Sequence, residues 1–179
     1  MKSKYHSEKS KHCCFCGRKL IFKTLLDGSA EEYCKSCDYV FFDTPSPAVI
    51  VAVIERDRVL LTRSVGWEHP YWGLIAGHLK SSENAEEAVI REVCEEIGLE
   101  ISDLEILGTF LRPDRHRNLL MIGFTAKANS VSIRKSEELE KATWFSLYET
   151  LPLRPNSIAN QLIKQILSRM ETKSEKKNN

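Results

Sequence analysis

The sequence predicts an α/β fold of the α+β kind, a helix–sheet–helix sandwich around a mixed sheet, behind a small cysteine-bearing segment. Three observations carry this reading. Apolar runs rich in β-branched residues recur between Ala48 and Leu147 and mark strands. Two stretches, 85–97 and 157–170, instead repeat their apolar residues at three- and four-residue steps, as helices do. Four of the six cysteines form two Cys-x-x-Cys pairs before residue 38. Strands surrounding two amphipathic helices bury their apolar faces as packed layers.

Along the chain, residues 1–11 are polar and expected to be disordered. Residues 12–43 hold the cysteine pairs, and Pro45 and Pro47 in "FFDTPSPAV" mark a boundary, because proline disfavours helix and regular strand alike. One folded unit is expected over 44–170. Within it "AVIVAVIE" and "RVLLTR", separated by the polar pair Arg56-Asp57, read as a hairpin. "WGLIAG", "LEILGTF", "NLLMIGFTAKA" and "ATWFSL" read as further strands. The last helix, Ser157 to Met170, gathers Ile158, Leu162, Ile163, Ile166, Leu167 and Met170 on one face. The tail 171–179, "ETKSEKKNN", is polar and expected to be disordered.

Composition bounds the function. A chain of 179 residues, 42% hydrophobic and 28% charged, suits one globular domain with a satellite. A net charge of +1 favours neither nucleic acid nor a membrane surface as partner. No apolar run approaches the ~20 residues of a spanning helix. The opening "MKSKYHSEKSKHCC" is basic without a following apolar stretch, so no secretory leader is expected and the reading is cytoplasmic.

In a reducing compartment, Cys13, Cys16, Cys34 and Cys37 favour metal over disulfide or redox use. Their paired spacing, with Gly17 after Cys16, fits a four-thiolate zinc ribbon. Such a zinc is coordinatively full, so one Zn²⁺ per chain is expected to fold a segment too short to make its own core. The basic residues Arg18, Lys19, Lys23 and Lys35 are too scattered to mark a nucleic-acid face. Cys94 is expected to be a small buried hydrophobe in mid-helix.

The segment "GHLKSSENAEEAVIREVCEEIGL", Gly77 to Leu99, reads as a glycine-containing loop followed by a helix of about 13 residues from Ala85. Asn84 is a good N-cap, Glu87 completes a capping box, and Gly98 stands where a left-handed residue ends a helix. Ala85, Ala88, Val89, Val93 and Ile97 form the stripe that faces the sheet. Glu92, Glu95 and Glu96 stand at i, i+3 and i+4, where like charges repel by roughly 0.2–0.5 kcal/mol per pair. They also lie at the C-terminal end, where the helix dipole disfavours anions. A solvated acidic face explains Glu86 and Glu87 but not this placement. A divalent cation removes both penalties, and hard oxygen ligands suit Mg²⁺ or Mn²⁺.

At every defined position the segment resembles the Nudix box, G-x5-E-x7-R-E-U-x-E-E-x-G-U with U aliphatic: Gly77, Glu83, Arg91, Glu92, Val93, Glu95, Glu96, Gly98 and Leu99. The resemblance implies a Nudix sandwich that hydrolyses nucleoside diphosphates linked to another moiety, by attack of water on phosphorus. It implies that Glu92, Glu95 and Glu96 hold the catalytic divalent ions, with the Ala76 carbonyl as a further ligand. Arg91 would orient a glutamate of the cluster, and Glu83 would brace the loop–helix–loop. Many members read G-x-x-E-x-G-E in the loop, where this chain has Lys80 and Ser82 at the middle Glu and Gly positions. Lys80 either contacts a substrate phosphate or faces solvent.

A ribbon directly before such a domain resembles the NADH pyrophosphatases (NAD diphosphatases). "PSPAVIVAVI", "EELEKATWF" and "LPLRPNSIANQLI" extend the likeness from Cys13 to about Ile166. The resemblance implies an NAD(H)-like dinucleotide substrate, two mononucleotide products, a homodimer, and Glu138 as an additional metal ligand. The alternative for Glu138 is a surface carboxylate beside Glu137 and Glu140. After the box that family carries S-Q-P-W-P-F-P-x-S, whereas this chain reads "GTFLRPDRHRNLLMIGF". Phe110 stacking on a base, with Arg112, Arg115, His116 and Arg117 meeting phosphates, stands against an ordinary basic loop. ADP-ribose or FAD as substrate stays open, as does a ligand-sensing or nucleic-acid-binding module without turnover. Trp67, Tyr71 and Trp72 either stack on a base or pack at the rim. Glu95 and Glu138 are the candidates for the catalytic base.

Overall fold

The computed structural model describes residues 11–114 and 117–177. Most of the polar N-terminal segment therefore lies outside the described residues, as do Arg115, His116 and the last two positions. The chain divides into two compact units, one up to Ser46 together with Arg112–Leu119, the other Pro47–Leu111 with Leu120 onward.

The first unit carries β1 (Ile21–Thr24), β2 (Ala30–Cys34) and β3 (Tyr39–Phe41), an antiparallel sheet in that order. Its apolar content is small. Phe15, Tyr39 and Phe41 pack ring against ring at 4.9–5.9 Å between centroids, yet Phe15 stays 65% exposed. Cys13 and Cys34 are the two buried hydrophobic residues below Pro47 among those described, so burial here centres on sulfur. Arg112–Leu119 joins this unit through hydrogen bonds: Ser46 N–H donates to Asn118 O at 2.8 Å, and Arg117 Nε–H to Thr44 O at 2.8 Å. The boundary expected after Asp43 did not foresee that attachment, which forms between residues some 70 positions apart.

The second unit is built on a sheet of β4 (Ser46–Glu55), β5 (Arg58–Ser64), β6 (Ile75–His78), β7 (Ile101–Arg112), β8 (Leu119–Ala128) and β9 (Leu139–Ser146). The order is β7-β8-β4-β5-β9, with β6 pairing the other part of β4. The β4–β5 hairpin turns at Arg56 and Asp57, with Arg56 in the left-handed region at φ 54°. One sequence prediction is shortened: in "WGLIAG", Trp72 and Gly73 make isolated bridges, and the strand begins at Ile75.

The helix α1 (Ala85–Ile97) has the predicted bounds and caps. Asn84 Oδ1 accepts from Glu87 N–H at 2.9 Å while Glu87 Oε2 accepts from Asn84 N–H at 2.9 Å, and Gly98 ends the helix at φ 65°. Its Ala88, Val89, Val93 and Ile97 join Val49, Val51 and Val53 of β4, Leu60 of β5 and Phe124 and Ala126 of β8 in one core. Alternation along β8 turns Gly123 the other way. A Cβ there would come within 2.7 Å of Leu162, so α2 (Ile158–Lys177) lies on the opposite face of the sheet. The two helices and the sheet between them form the sandwich.

Two expectations need correction. Cys94 is exposed, because it lies about 100° around α1 from Val93, beside the exposed Ile90. The α2 helix continues past Met170 to Lys177: the segment is polar but holds no Gly or Pro, and Glu, Lys and Met are good helix formers. Replacing the N-cap, Asn84→Ala, should lower stability by about 1 kcal/mol in urea unfolding at pH 7 while leaving the helix bounds unchanged.

Candidate active site

The loop Leu79–Asn84 and α1 are drawn together by one side chain. The Arg91 guanidinium makes a fork with Glu83, Nε–H to Oε2 at 2.9 Å and Nη2–H to Oε1 at 2.6 Å. Its Nη1–H donates to Glu92 Oε1 at 2.7 Å and Glu95 Oε2 at 2.9 Å, and Nη2–H also reaches His78 O at 3.1 Å. Three carboxylates thus share one cation, and bidentate geometry makes each bond strong. The fork holds the Glu83 carboxyl down at about 2, helped by Lys80 N–H, which donates to Glu83 Oε1 at 2.7 Å. The bond from Arg91 Nη1–H lowers the Glu95 carboxyl, and the glutamates push the guanidinium further up. Lys80 is exposed, and its Nζ lies 3.4 Å from Glu95 Oε1.

Glu92 occupies space that the chain leaves open at Gly77. A Cβ built there would stand 1.9 Å from Glu92 Oε1, so any side chain at position 77 would expel the carboxylate. Gly77 sits on β6, paired to Val49, and Ala76 beside it pairs with Ile50 at the exposed side of the sheet.

Glu96 has a different environment. Burial, then the charges of Glu92 and Glu138, push its carboxyl up to about 7. Glu138 comes from the segment after β8, which docks on the end of α1. Arg134 N–H donates to Ile97 O at 2.9 Å and Ser136 N–H to Glu96 O at 2.7 Å, satisfying helix carbonyls that have no partner within the helix. The charges of Glu92 and Glu138 thus reach Glu96, and of the three Glu92 alone has an ion pair among the described residues, to Arg91. No ion pair to Glu96 or Glu138 is present among the described residues.

The edge of the half-buried Phe110 ring lies over Gly123. Arg112 is exposed at the end of β7, and Arg115 lies outside the described residues. Tyr71 is covered by the Arg154 guanidinium at 5.0 Å, Trp72 meets Phe145 edge-on at 5.0 Å, and Trp67 lies over Gly73 while staying 45% exposed.

The four paired cysteines have sulfur atoms within 4.8 Å of one another. The closest pairs are Cys16–Cys34 at 3.6 Å and Cys13–Cys37 at 3.9 Å, far beyond a disulfide. Ligands ~2.3 Å from a tetrahedral centre stand about 3.8 Å apart, so the donor set fits zinc. Burial raises the Cys34 thiol, but N–H donors from Cys37 and Ser36 and the neighbouring thiols bring it net down. The Cys16 thiol and burial push Cys37 up.

Sequence reasoning missed Arg63, Glu140 and the docking of Arg134 and Ser136 on α1. An arginine closing the apolar run "RVLLTR" was the available signal for Arg63.

The raised Glu96 carboxyl has a testable sign. An unfolded glutamate ionises near 4.5 and the folded one near 7, so ionisation opposes folding from pH 4.5 upward, in full above 7. In chelator-treated protein, Glu96→Gln should raise Tm at pH 8 by roughly 5 °C and leave it unchanged at pH 4.

Comparison with known proteins agrees with this geometry. The NUDIX domain family matches residues 44–166. The NAD-capped RNA hydrolase NudC of Pseudomonas fluorescens is 33% identical over 161 residues, covering 89% of this chain and 56% of that protein. Its counterpart in Pseudomonas aeruginosa is 37% identical over 163 residues, covering 89% and 58%. The chain thus spans a little over half the length of these curated relatives. Among solved structures, a NUDIX hydrolase from Nitrosomonas europaea superposes with a TM-score of 0.70 at 20% identity, covering 90% of this chain and 93% of that one. The NUDIX domain of Shewanella oneidensis NrtR, complexed with ADP ribose, gives 0.59 at 21%, covering 77% and 94%. With the box residues on one loop and helix and the family match spanning most of the sequence, the chain belongs to the NUDIX domain family.

Proposed function

We propose that this chain is a divalent-metal-dependent pyrophosphatase that cleaves the diphosphate of an NAD(H)-like dinucleotide, free or at the end of an RNA, into two 5′-phosphates. The observation that carries the reading is the Arg91 fork, which gathers Glu83, Glu92 and Glu95 while leaving Glu96 facing Glu92 and Glu138. A binding module has no need of such crowding. The identity to NAD-capped RNA hydrolases supports the dinucleotide. Paired reduced cysteines support a cytoplasmic setting.

In this reading Glu92, Glu95, Glu96 and Glu138, with the Ala76 carbonyl, hold Mg²⁺ or Mn²⁺. When bound, the cation neutralises charge on the phosphoryl oxygens and acidifies water. Arg91 fixes the carboxylates before substrate arrives, so positioning is complete at the moment of reaction. Glu83 holds Arg91, and Lys80 N–H holds Glu83. Glu95 or Glu138 accepts the proton of the attacking water as the phosphorus–oxygen bond to the leaving nucleotide breaks. Phe110, Arg112 and Arg115 are candidates for reading the substrate beyond its diphosphate. Cys13, Cys16, Cys34 and Cys37 hold one structural Zn²⁺.

Purified protein with Mg²⁺ or Mn²⁺ should convert NADH to NMNH and AMP, followed by mass spectrometry. Parallel assays with NAD⁺, NAD-capped RNA, ADP-ribose and FAD rank the alternatives, and no cleavage of any of them refutes the proposal. Glu95→Gln should lower kcat by at least about 100-fold, in the range of general acid–base and metal-ligand losses, with substrate still bound. A module without turnover would instead keep its ligand and show no rate to lose. Metal analysis should find one zinc per chain, and Cys34→Ser should lose it together with the fold of residues 12–43.

A further inference from the structure

The edge of the sheet beside the site holds an ion pair that the reaction as described does not use. Arg63 is 5% exposed at the end of β5. Its Nε–H donates to Glu140 Oε2 at 3.1 Å and its Nη2–H to Glu140 Oε1 at 3.0 Å, while the Trp72 ring lies 5.1 Å from the guanidinium. His69 Nε2 is 3.8 Å from the same carboxylate. The pair sits on a β-bulge. Arg63 pairs with Lys141 and Ser64 with Leu139, so Glu140 is the extra residue of β9. A bulge re-aims the side chain it inserts and ends regular pairing. Next to it Val65 N–H donates to Glu138 O at 2.9 Å.

Glu138 is therefore held between two anchors. Two residues before it, Ser136 N–H bonds the Glu96 carbonyl at 2.7 Å. Two residues after it, the Glu140 carboxylate is clamped by a buried guanidinium. With Arg63 buried and the Glu140 side chain 38% exposed, the fork contributes little net stability, since desolvating the guanidinium offsets its attraction to the carboxylate. Its geometric effect is larger, because the bidentate bonds fix both the distance and the plane of the carboxylate.

We propose that Arg63 and Glu140 are positioning residues that hold Glu138 opposite Glu96, completing the metal-binding set from the second strand edge. The inference rests on the reading of Glu138 as a metal ligand. The decisive measurement is Mn²⁺ binding to the whole chain by electron paramagnetic resonance, without substrate. Glu140→Gln should weaken Mn²⁺ binding roughly tenfold, as loss of groups supporting metal ligands does. It should also speed hydrogen exchange at the Val65 amide and lower kcat for the dinucleotide with KM within about twofold. Arg63→Lys, which keeps charge without the fork, should fall between. The double variant Arg63→Met with Glu140→Leu fills the same space without charge and should bind Mn²⁺ as poorly as Glu140→Gln while melting near wild type. Wild-type Mn²⁺ affinity in any of these folded variants overturns the inference. Glu138→Gln separates the two levels. If it weakens Mn²⁺ and Glu140→Gln does not, positioning alone fails. If Glu138→Gln leaves Mn²⁺ binding unchanged, the ligand reading fails and the inference falls with it.

Discussion

One guanidinium organises the candidate site. Arg91 bonds Glu83, Glu92, Glu95 and the His78 carbonyl, and so ties a loop, a helix and the end of a strand with a single planar group. Remove it, and three carboxylates on adjacent helix and loop positions would face one another with Lys80 as their nearest compensation. The capping box at Asn84, the open space at Gly77 and the left-handed Gly98 bring these groups to within the reach of one side chain. Local propensity and electrostatic need agree here, which is the consistency expected of a sequence that specifies one structure.

The same chain solves a second charge problem in the opposite manner. Around Arg91 the negative groups are compensated by the protein itself, so the loop and helix are organised without help from solution. In the ribbon, four sulfur donors lie within 4.8 Å of one another, and Cys13 and Cys34 are the two buried hydrophobic residues below Pro47 among those described. There the compensating charge is expected from a metal, which makes folding and metal uptake one process. The two units differ in how much core each can build: β4, β8 and α1 share a continuous apolar layer, whereas β1–β3 rest on three aromatic rings.

Legibility in the sequence followed the range of the interactions. The α1 helix could be read to its caps because stripe, N-cap and terminal glycine are separated by at most a few residues. The β4–β5 hairpin was readable for the same reason. Cys94 misled because a small sulfur residue on a helix says nothing of which side it takes, and the stripe of Val89, Val93 and Ile97 was the better guide. The Arg63–Glu140 pair was hidden because it joins residues 77 positions apart through a strand pairing that no local pattern reveals. Attachment of Arg112–Leu119 to the cysteine-bearing unit was hidden likewise, although it decides where the basic loop after the box belongs. Among the site residues, the spacing put the carboxylates on one loop and helix but did not reveal that Glu83, Glu92 and Glu95 share Arg91 while Glu96 has no ion pair among the described residues.

The sulfur cluster has a chemical liability. Cys16 and Cys34 lie 3.6 Å apart, with Cys16 exposed and Cys34 buried behind it. Closing that gap to a disulfide requires a displacement of about 1.5 Å, smaller than many loop motions. A bound metal protects the pair by occupying its lone pairs. Oxidation in air would therefore cross-link β2 to the first cysteine turn and leave two sulfurs fewer to offer a metal. Chelation and oxidation thus attack the same point in sequence, and a preparation purified without reductant would record its handling history in those two residues.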